Sequence, residues 1–188
     1  MGAIYIIEHL ERRVWKWCIY EYEHISQTIG KKNLWFTNVK RGSKVLSKYG
    51  RVFRGSVRDM KLDKACVLDS DGKKTLSPKE ARGFRYFIFG GILGDHPPRK
   101  RTRKELTKFI SNAIVRDIGK RQMATDNAVY VVHEIEGGTL LKKMKFKQGV
   151  RIRINKIEST DLPYRYALVN GEPFMSNRVV TYLKRKRD

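Results

Sequence analysis

Phe84-Arg85-Tyr86-Phe87-Ile88-Phe89-Gly90-Gly91-Ile92-Leu93-Gly94-Asp95-His96-Pro97-Pro98 decides how this chain is read. An aromatic and β-branched run with the character of a buried strand empties into a loop of three glycines, one carboxylate and two prolines. In α/β proteins ligands sit in the crevice at the carboxyl ends of strands. Glycine there lets the backbone approach a ligand closely. The loop is neither GxGxxG nor followed by GKS/T, so neither a dinucleotide fingerprint nor a phosphate-binding P-loop is indicated. Asp95, set between glycine and the prolines, adds a carboxylate with little freedom to swing away.

Working outward, Ala3 to Ile7, Leu34-Trp35-Phe36 and Ala65 to Leu68 read as further short strands, the last placing Asp69 at its carboxyl end. Tyr20 to Ile29 reads as a helix closed by Gly30, and Ser43 to Tyr49 as a short helix ending at Gly50. Ser77-Pro78-Lys79-Glu80 is a capping box with proline at the first helical position. Thr102-Arg103-Lys104-Glu105 is a second one, after which Leu106, Phe109, Ile110, Ala113, Ile114 and Ile118 fall at helical spacing, predicting a long helix up to Gly119. Ala128, Val129, Val132 and Ile135 fit a further helix, although Val129 to Val132 fits a strand equally well. The order is α/β. From Thr139 the character changes: residues 139–157 carry seven Lys or Arg and no acid, and Ile152 and Ile154 alternate with Arg151 and Arg153 as in a strand with one basic face. Asn170-Gly171 marks a turn in this small, basic, β-containing portion. The expected division is a core over 1–138 and a basic extension over 139–188 packed on it.

Composition sets the frame. The 188 residues carry 41 Lys and Arg against 19 Asp and Glu, a net charge of +22. Such a field favours polyanions, RNA above all. No apolar run approaches the roughly 20 residues that span a bilayer, and no signal-peptide pattern opens the sequence, which implies a cytoplasmic protein without a membrane partner. Cys18 and Cys66 are far apart and form no CxxC, so they read as reduced core thiols. No metal site is indicated.

Several of these segments together resemble one family: Phe89 to Asp95 with Pro97-Pro98, Arg99 and Arg101-Thr102; Ile7-Glu8-His9-Leu10-Glu11; Glu21-Tyr22; Phe36-Thr37-Asn38-Val39; Gln122-Met123 with Thr125-Asp126; and Leu162-Pro163-Tyr164-Arg165-Tyr166. The family is the SPOUT-class methyltransferases often labelled "SAM-dependent RNA methyltransferase", whose eukaryotic branch resembles protein arginine methyltransferases acting on a ribosomal protein. The resemblance implies a parallel sheet with its C-terminal half tied in a trefoil knot, and S-adenosylmethionine as cofactor. Carried onto this sequence, the cofactor loops are Leu68-Asp69; Gly90, Gly91, Ile92, Leu93 and Gly94; and Gln122, Met123, Thr125, Asp126 and Ala128, with Ile92, Leu93 and Met123 around the adenine. His96 stands where the family more often has a second acid.

An arginine acceptor has a pKa above about 12 and needs carboxylates to orient it and favour loss of its proton. Asp95, Glu8 and Glu11 are the candidate catalytic acids, although for Glu11 a surface ion pair is the stronger reading. Arg99, Lys100, Arg101 and Arg103 oppose the macrodipole of the helix they open, so they are assigned to an anionic substrate. The charge places RNA (tRNA or rRNA) first as methyl acceptor and arginine of a ribosome-associated protein second. A non-catalytic RNA- or ribosome-binding module is the third reading. Monomer and homodimer are both compatible with the sequence.

Overall fold

The computed structural model describes residues 2–94 and 99–185. Strand and helix alternate in the first part of the chain: β1 (Ile4–His9), α1 (Lys16–Ile29), β2 (Leu34–Thr37), α2 (Ser43–Leu46), β3 (Arg51–Val52), β4 (Ala65–Leu68), α3 (Pro78–Ala81) and β5 (Tyr86–Gly91). After the glycine loop come α4 (Arg101–Glu105), β6 (Ile114–Arg116) and α5 (Thr125–Glu136). The chain ends with β7 (Phe146–Arg153), β8 (Ser159–Val169), β9 (Glu172–Pro173) and α6 (Asn177–Arg185).

The first six strands form one parallel sheet in the order β3-β2-β1-β5-β4-β6. Side chains alternate along each strand, and this divides the core. Tyr5, Ile7, Phe87 and Phe89 point to the face covered by α1 and α5, where they pack with Tyr22, Ile25, Val129, Val132 and Ile135. Ile6, Ile88 and Val67 point to the opposite face and meet Val57 and Leu106. Fully burying side chains of this size contributes about 1.5–3 kcal/mol each, so the central pair β1–β5 is where the fold is most heavily anchored. Order reverses between β1 and β5, and the glycine loop leaves the sheet at that point.

The Ser77 cap forms as its sequence predicts: its hydroxyl accepts from the Glu80 amide and sits 3.0 Å from Oε2 of the Glu80 carboxylate. The ambiguous 129–132 segment is helix, within α5. The long helix predicted from Thr102 to Ile118 does not form. In its place stand α4, a single 3-10 turn over Thr107–Phe109, and the strand β6. Ile114, Val115 and Arg116 pair with Cys66, Val67 and Leu68, so the β-branched pair Ile114-Val115 is drawn to the open edge of β4. The helical spacing was met, yet Phe109 and Ile114 are each almost half exposed. The Thr102 capping box is likewise absent, since Lys100 takes the cap position with a left-handed backbone (φ 52°).

Residues 146–173 form a separate antiparallel sheet, β7-β8-β9. Asn170 and Gly171 both have positive φ, 52° and 87°, as a two-residue hairpin turn requires. Ile152 is buried between exposed Arg151 and Arg153. With Leu162 and Tyr166 it forms a third core, against which Trp17, Ala124, Tyr164, Val180 and Leu183 pack. Both cysteines are buried and free, and burial pushes each thiol up to about 12.

Candidate functional site

A cavity of about 710 Å³ opens at the carboxyl ends of β5 and β4. Four segments wall it: Leu68 to Asp71 after β4; Phe89, Gly90 and Ile92 at the end of β5; Arg99 to Thr102; and Ile118 to Met123, continued by Thr125 and Ala128 of α5. Gln148 and Pro163, from the second sheet, complete it. Leu68, Phe89, Ile92, Ile118, Met123, Ala128 and Pro163 supply apolar lining, and backbone, neutral polar and charged groups supply the rest.

Of the residues predicted to hold a cofactor, Leu68, Asp69, Gly90, Ile92, Gln122, Met123, Thr125 and Ala128 line this cavity. Gly91, Leu93, Gly94 and Asp126 do not. Gly91 follows the strand alternation to the other side: a Cβ there would lie 2.5 Å from the Tyr22 hydroxyl and 2.8 Å from Ile7 Cγ2. Leu93 packs on the main core. Gly94 is squeezed between Gln122 and the Tyr164 ring. Asp126 lies on the α1 side of α5, where its carboxylate is 2.8 Å from His24 Nδ1. Asp95 and His96 lie outside the described residues.

The strand-end carboxylates have structural partners. Glu8 is fully buried and accepts from the Thr37 hydroxyl (2.5 Å), the Ser56 hydroxyl (2.5 Å) and the Val57 amide (3.0 Å). It knits β1 to β2 and to the segment behind it, and it does not line the cavity. Glu11 accepts from the Leu93 amide (3.1 Å) and from Arg101 Nη1 (2.8 Å), tying the glycine loop to the start of α4. Asp69 accepts from the Thr107 hydroxyl (2.6 Å) and the Asp71 amide (2.9 Å).

Two of the four cations predicted to grip substrate, Lys100 and Arg101, are paired within the chain. Arg101 forms a fork on Glu105 (2.7 and 3.2 Å) besides its bond to Glu11, and these carboxylates raise its pKa further. Lys100 lies 2.9 Å from Asp71. Arg99, Lys100 and Arg101 line the cavity, whereas Arg103 is exposed on α4 away from it.

The opposite wall is pinned differently. Gly119 has φ +104° and donates its amide to Asp117 (2.9 Å), which also accepts from Thr75 and Lys120. Burial pushes the Asp117 carboxyl up, but these donors outweigh it and hold its pKa below the ordinary value. The Gln122 carbonyl then accepts from the Arg165 amide of β8 (2.8 Å), where Met123 and Arg165 form a parallel bridge. The Tyr164 hydroxyl donates across to the Gly94 carbonyl (2.7 Å). One stretch of β8 therefore holds both loops.

Behind this wall Glu21 of α1 accepts from Trp17 Nε1 (2.6 Å). Burial first, and the neighbouring Asp126 charge second, push its pKa up to about 8 against hydrogen bonds from Trp17 and Thr125. Ser70, Asp71, Phe89, Thr102, Gln148, Pro163 and the run Ile118 to Arg121 were missed as cavity residues, and the misread helix, taken as far as Gly119, covered the start of that run. The Asp117-x-Gly119 turn was the available signal.

A family model described as "Protein arginine N-methyltransferase SFM1-like" matches residues 4–188. Protein arginine N-methyltransferase SFM1 of Saccharomyces cerevisiae is 33% identical over 200 residues, which span 96% of this chain and 94% of that protein. The crystal structure of that yeast arginine methyltransferase complexed with SAM superposes with a TM-score of 0.89 at 33% identity, covering 99% of this chain and 92% of the other. A Trm10 structure from Thermococcus kodakaraensis has a TM-score of 0.56 at 17% identity over 74% of this chain and 96% of the other, a likeness of fold alone.

Proposed function

This chain belongs to the SFM1-like protein arginine N-methyltransferase family, and from that premise we propose that it transfers a methyl group from S-adenosylmethionine to an arginine side chain of a protein. The observation that carries the reading is the cavity at the mouth of β5, with the backbone of Gly90 as its floor. A Cβ at Gly90 would meet Ile92 Cδ1 at 3.1 Å and Thr102 Oγ1 at 3.3 Å, so glycine keeps that floor open. Ile92, Ile118 and Met123 suit an adenine ring, and the loops of residues 68–71 and 118–122 offer backbone polar groups to the rest of the molecule. Bound there, S-adenosylmethionine supplies an electrophilic methyl group. The protein's part is then to exclude water, fix the direction of attack and manage the acceptor's proton.

Charge alone put RNA first as acceptor, and the family match favours the reading ranked second. A guanidinium needs a carboxylate facing it. Glu8 is fully buried outside the cavity and held by three donors, and Glu11 is committed to Leu93 and Arg101, so Asp95 is the proton acceptor in this proposal. Asp95→Asn lowers turnover by roughly 10²–10⁴ while affinity for S-adenosylmethionine, measured by calorimetry, stays near wild type. Undiminished turnover removes Asp95 from the chemistry.

The knot belongs to the same proposal. It is supported by the path of the chain: after β6 at the sheet edge, residues 117–123 return to the mouth of β5 before α5 begins. A ribosome-associated target fits the net charge of +22, because a basic protein segment repels this enzyme unless RNA lies around it. The acceptor class is tested by transfer from radiolabelled S-adenosylmethionine into lysate of cells lacking the protein. Label that survives nuclease and is lost to protease supports arginine of a protein, and amino-acid analysis then shows methylarginine. Label lost to nuclease overturns the reading.

A further inference from the structure

A second depression, of about 600 Å³, lies between α1 and α6 and shares no residue with the cavity described above. Its walls are two helical stripes. Lys16 and Tyr20 stand one turn apart on α1, and Asn177, Thr181 and Arg185 stand at successive turns of α6, with Arg178 and Tyr182 beside them. The inner face of α6 is occupied, since Val179 is buried and Val180 and Leu183 join the third core. The groove is therefore an outward surface of a docked helix. That surface is basic and aromatic, where a solvated helix would carry both signs of charge.

Its geometry is specific. The rings of Tyr20 and Tyr182 meet edge to face, 5.7 Å apart at 66°. Arg178 covers Tyr20 at 4.4 Å and is anchored by Glu23 at 2.6 Å, so Tyr20 is held in place. Lys16 and Arg185 are exposed at the two sides. Asn177 and Thr181 add hydrogen-bonding groups on the solvent side. Cations flanking stackable rings are what single-stranded nucleic acid uses: phosphates to the cations, bases to the rings.

We propose that the α1–α6 groove is a docking site for single-stranded RNA, separate from the methyl-transfer cavity and independent of which acceptor is methylated there. Charge complementarity decides the occupant: no acid is among the described residues that line the groove, and Glu23 beside it is taken by Arg178.

The test is fluorescence anisotropy of a labelled 12-nucleotide oligouridylate with the full chain, across a salt series. Binding that weakens with salt is expected. Lys16→Gln with Arg185→Gln should lower affinity about tenfold and reduce the slope of log K against log salt by about 1.4, since each single-strand phosphate contact contributes about 0.7. Tyr20→Ala should lower affinity at least about fivefold, and Tyr20→Phe should leave it unchanged. Wild-type melting temperature and S-adenosylmethionine affinity in each variant exclude misfolding, and the charge variants carry the test alone if Tyr20→Ala fails to fold. No RNA binding, or an unchanged affinity and slope in the double variant, overturns the proposal. So does an acidic peptide that binds this groove more tightly than the oligonucleotide.

Discussion

The two walls of the cavity are built on different physics. The wall made of the glycine loop and α4 is held by charge: Glu11 receives the Leu93 amide and Arg101, Arg101 forks onto Glu105, and Lys100 reaches Asp71. The wall over residues 117–123 has one ion pair, Lys120 on Asp117, but is held chiefly through backbone groups: the Gly119 amide on Asp117 and the Gln122 carbonyl paired with β8. A wall of ion pairs loosens with salt and can open without unfolding anything. A wall bridged to a strand moves only when the strand does. The difference predicts that salt acts more on the charged wall than on the wall bridged to β8.

The largest expected effect separates the walls from the floor between them. Gly91→Val drives a side chain into the Tyr22 hydroxyl, Ile7 and the Glu8 carbonyl, all buried. It should cost about 3 kcal/mol or more and leave little folded protein. Gly90→Ala meets only the flexible ends of Ile92 and Thr102. It should keep its melting temperature within a few degrees and lose S-adenosylmethionine affinity. If Gly91→Val folds normally and Gly90→Ala binds cofactor as well as wild type, the floor is misassigned.

Next in size is the charged wall itself. Glu11→Gln leaves Arg101 with Glu105 alone and removes the charge that holds the Leu93 amide. Hydrogen bonds to charged groups contribute about 1.5–3 kcal/mol. Affinity for S-adenosylmethionine should fall about tenfold or more in low salt, with wild type approaching the variant as salt rises. A loss that is the same at every ionic strength would show that the wall is not electrostatic.

Support for the backbone wall has a pH signature. Glu21 accepts from Thr125, at the foot of that wall, and folding raises its pKa from about 4.5 to about 8. Between those values the folded protein holds a proton that the unfolded chain releases. Stability therefore falls as pH rises through this window, and the contribution is gone above pH 8. Glu21→Gln cannot titrate, so its melting temperature should decline less than wild type between pH 5 and 8.5. Parallel declines would place the titration elsewhere.

These contrasts also show what a sequence exposes and what it hides. Strands β1, β4 and β5 were legible because apolar runs bounded by glycine and charge have one economical placement, and the Ser77 cap because it is local. The mouth of β5 was legible for the same reason, and Gly90 and Ile92 with it, whereas Gln122 and Met123 came to the cavity only through the family resemblance. The α4–β6 region was not: Leu106, Ile110, Ile114 and Ile118 satisfy a helical period, and only the vacant edge of β4 decides for strand. Gly91 and Asp126 failed as cavity residues for a related reason. Which side of a strand or helix faces a ligand depends on packing partners, Tyr22 and His24, that lie far away in sequence.

The smallest expected effect is the most telling about how the walls are joined. Tyr164 is half-buried against the third core, and its hydroxyl crosses to the Gly94 carbonyl at 2.7 Å. The next residue, Arg165, holds Gln122. Tyr164→Phe keeps the ring and its packing and removes the hydroxyl's hydrogen bond to Gly94, so global stability should fall by about 1 kcal/mol. The consequence for the walls is unequal. The charged wall loses its tie to the one held by β8, while the Gln122–Arg165 pairing is untouched. Hydrogen exchange at the Leu93 and Gly94 amides should therefore accelerate more than at Gly119, which remains on Asp117. Equal acceleration at both sites would mean that β8 holds the cavity as one unit, and the distinction between a wall held by charge and one held by β8 would have to be given up.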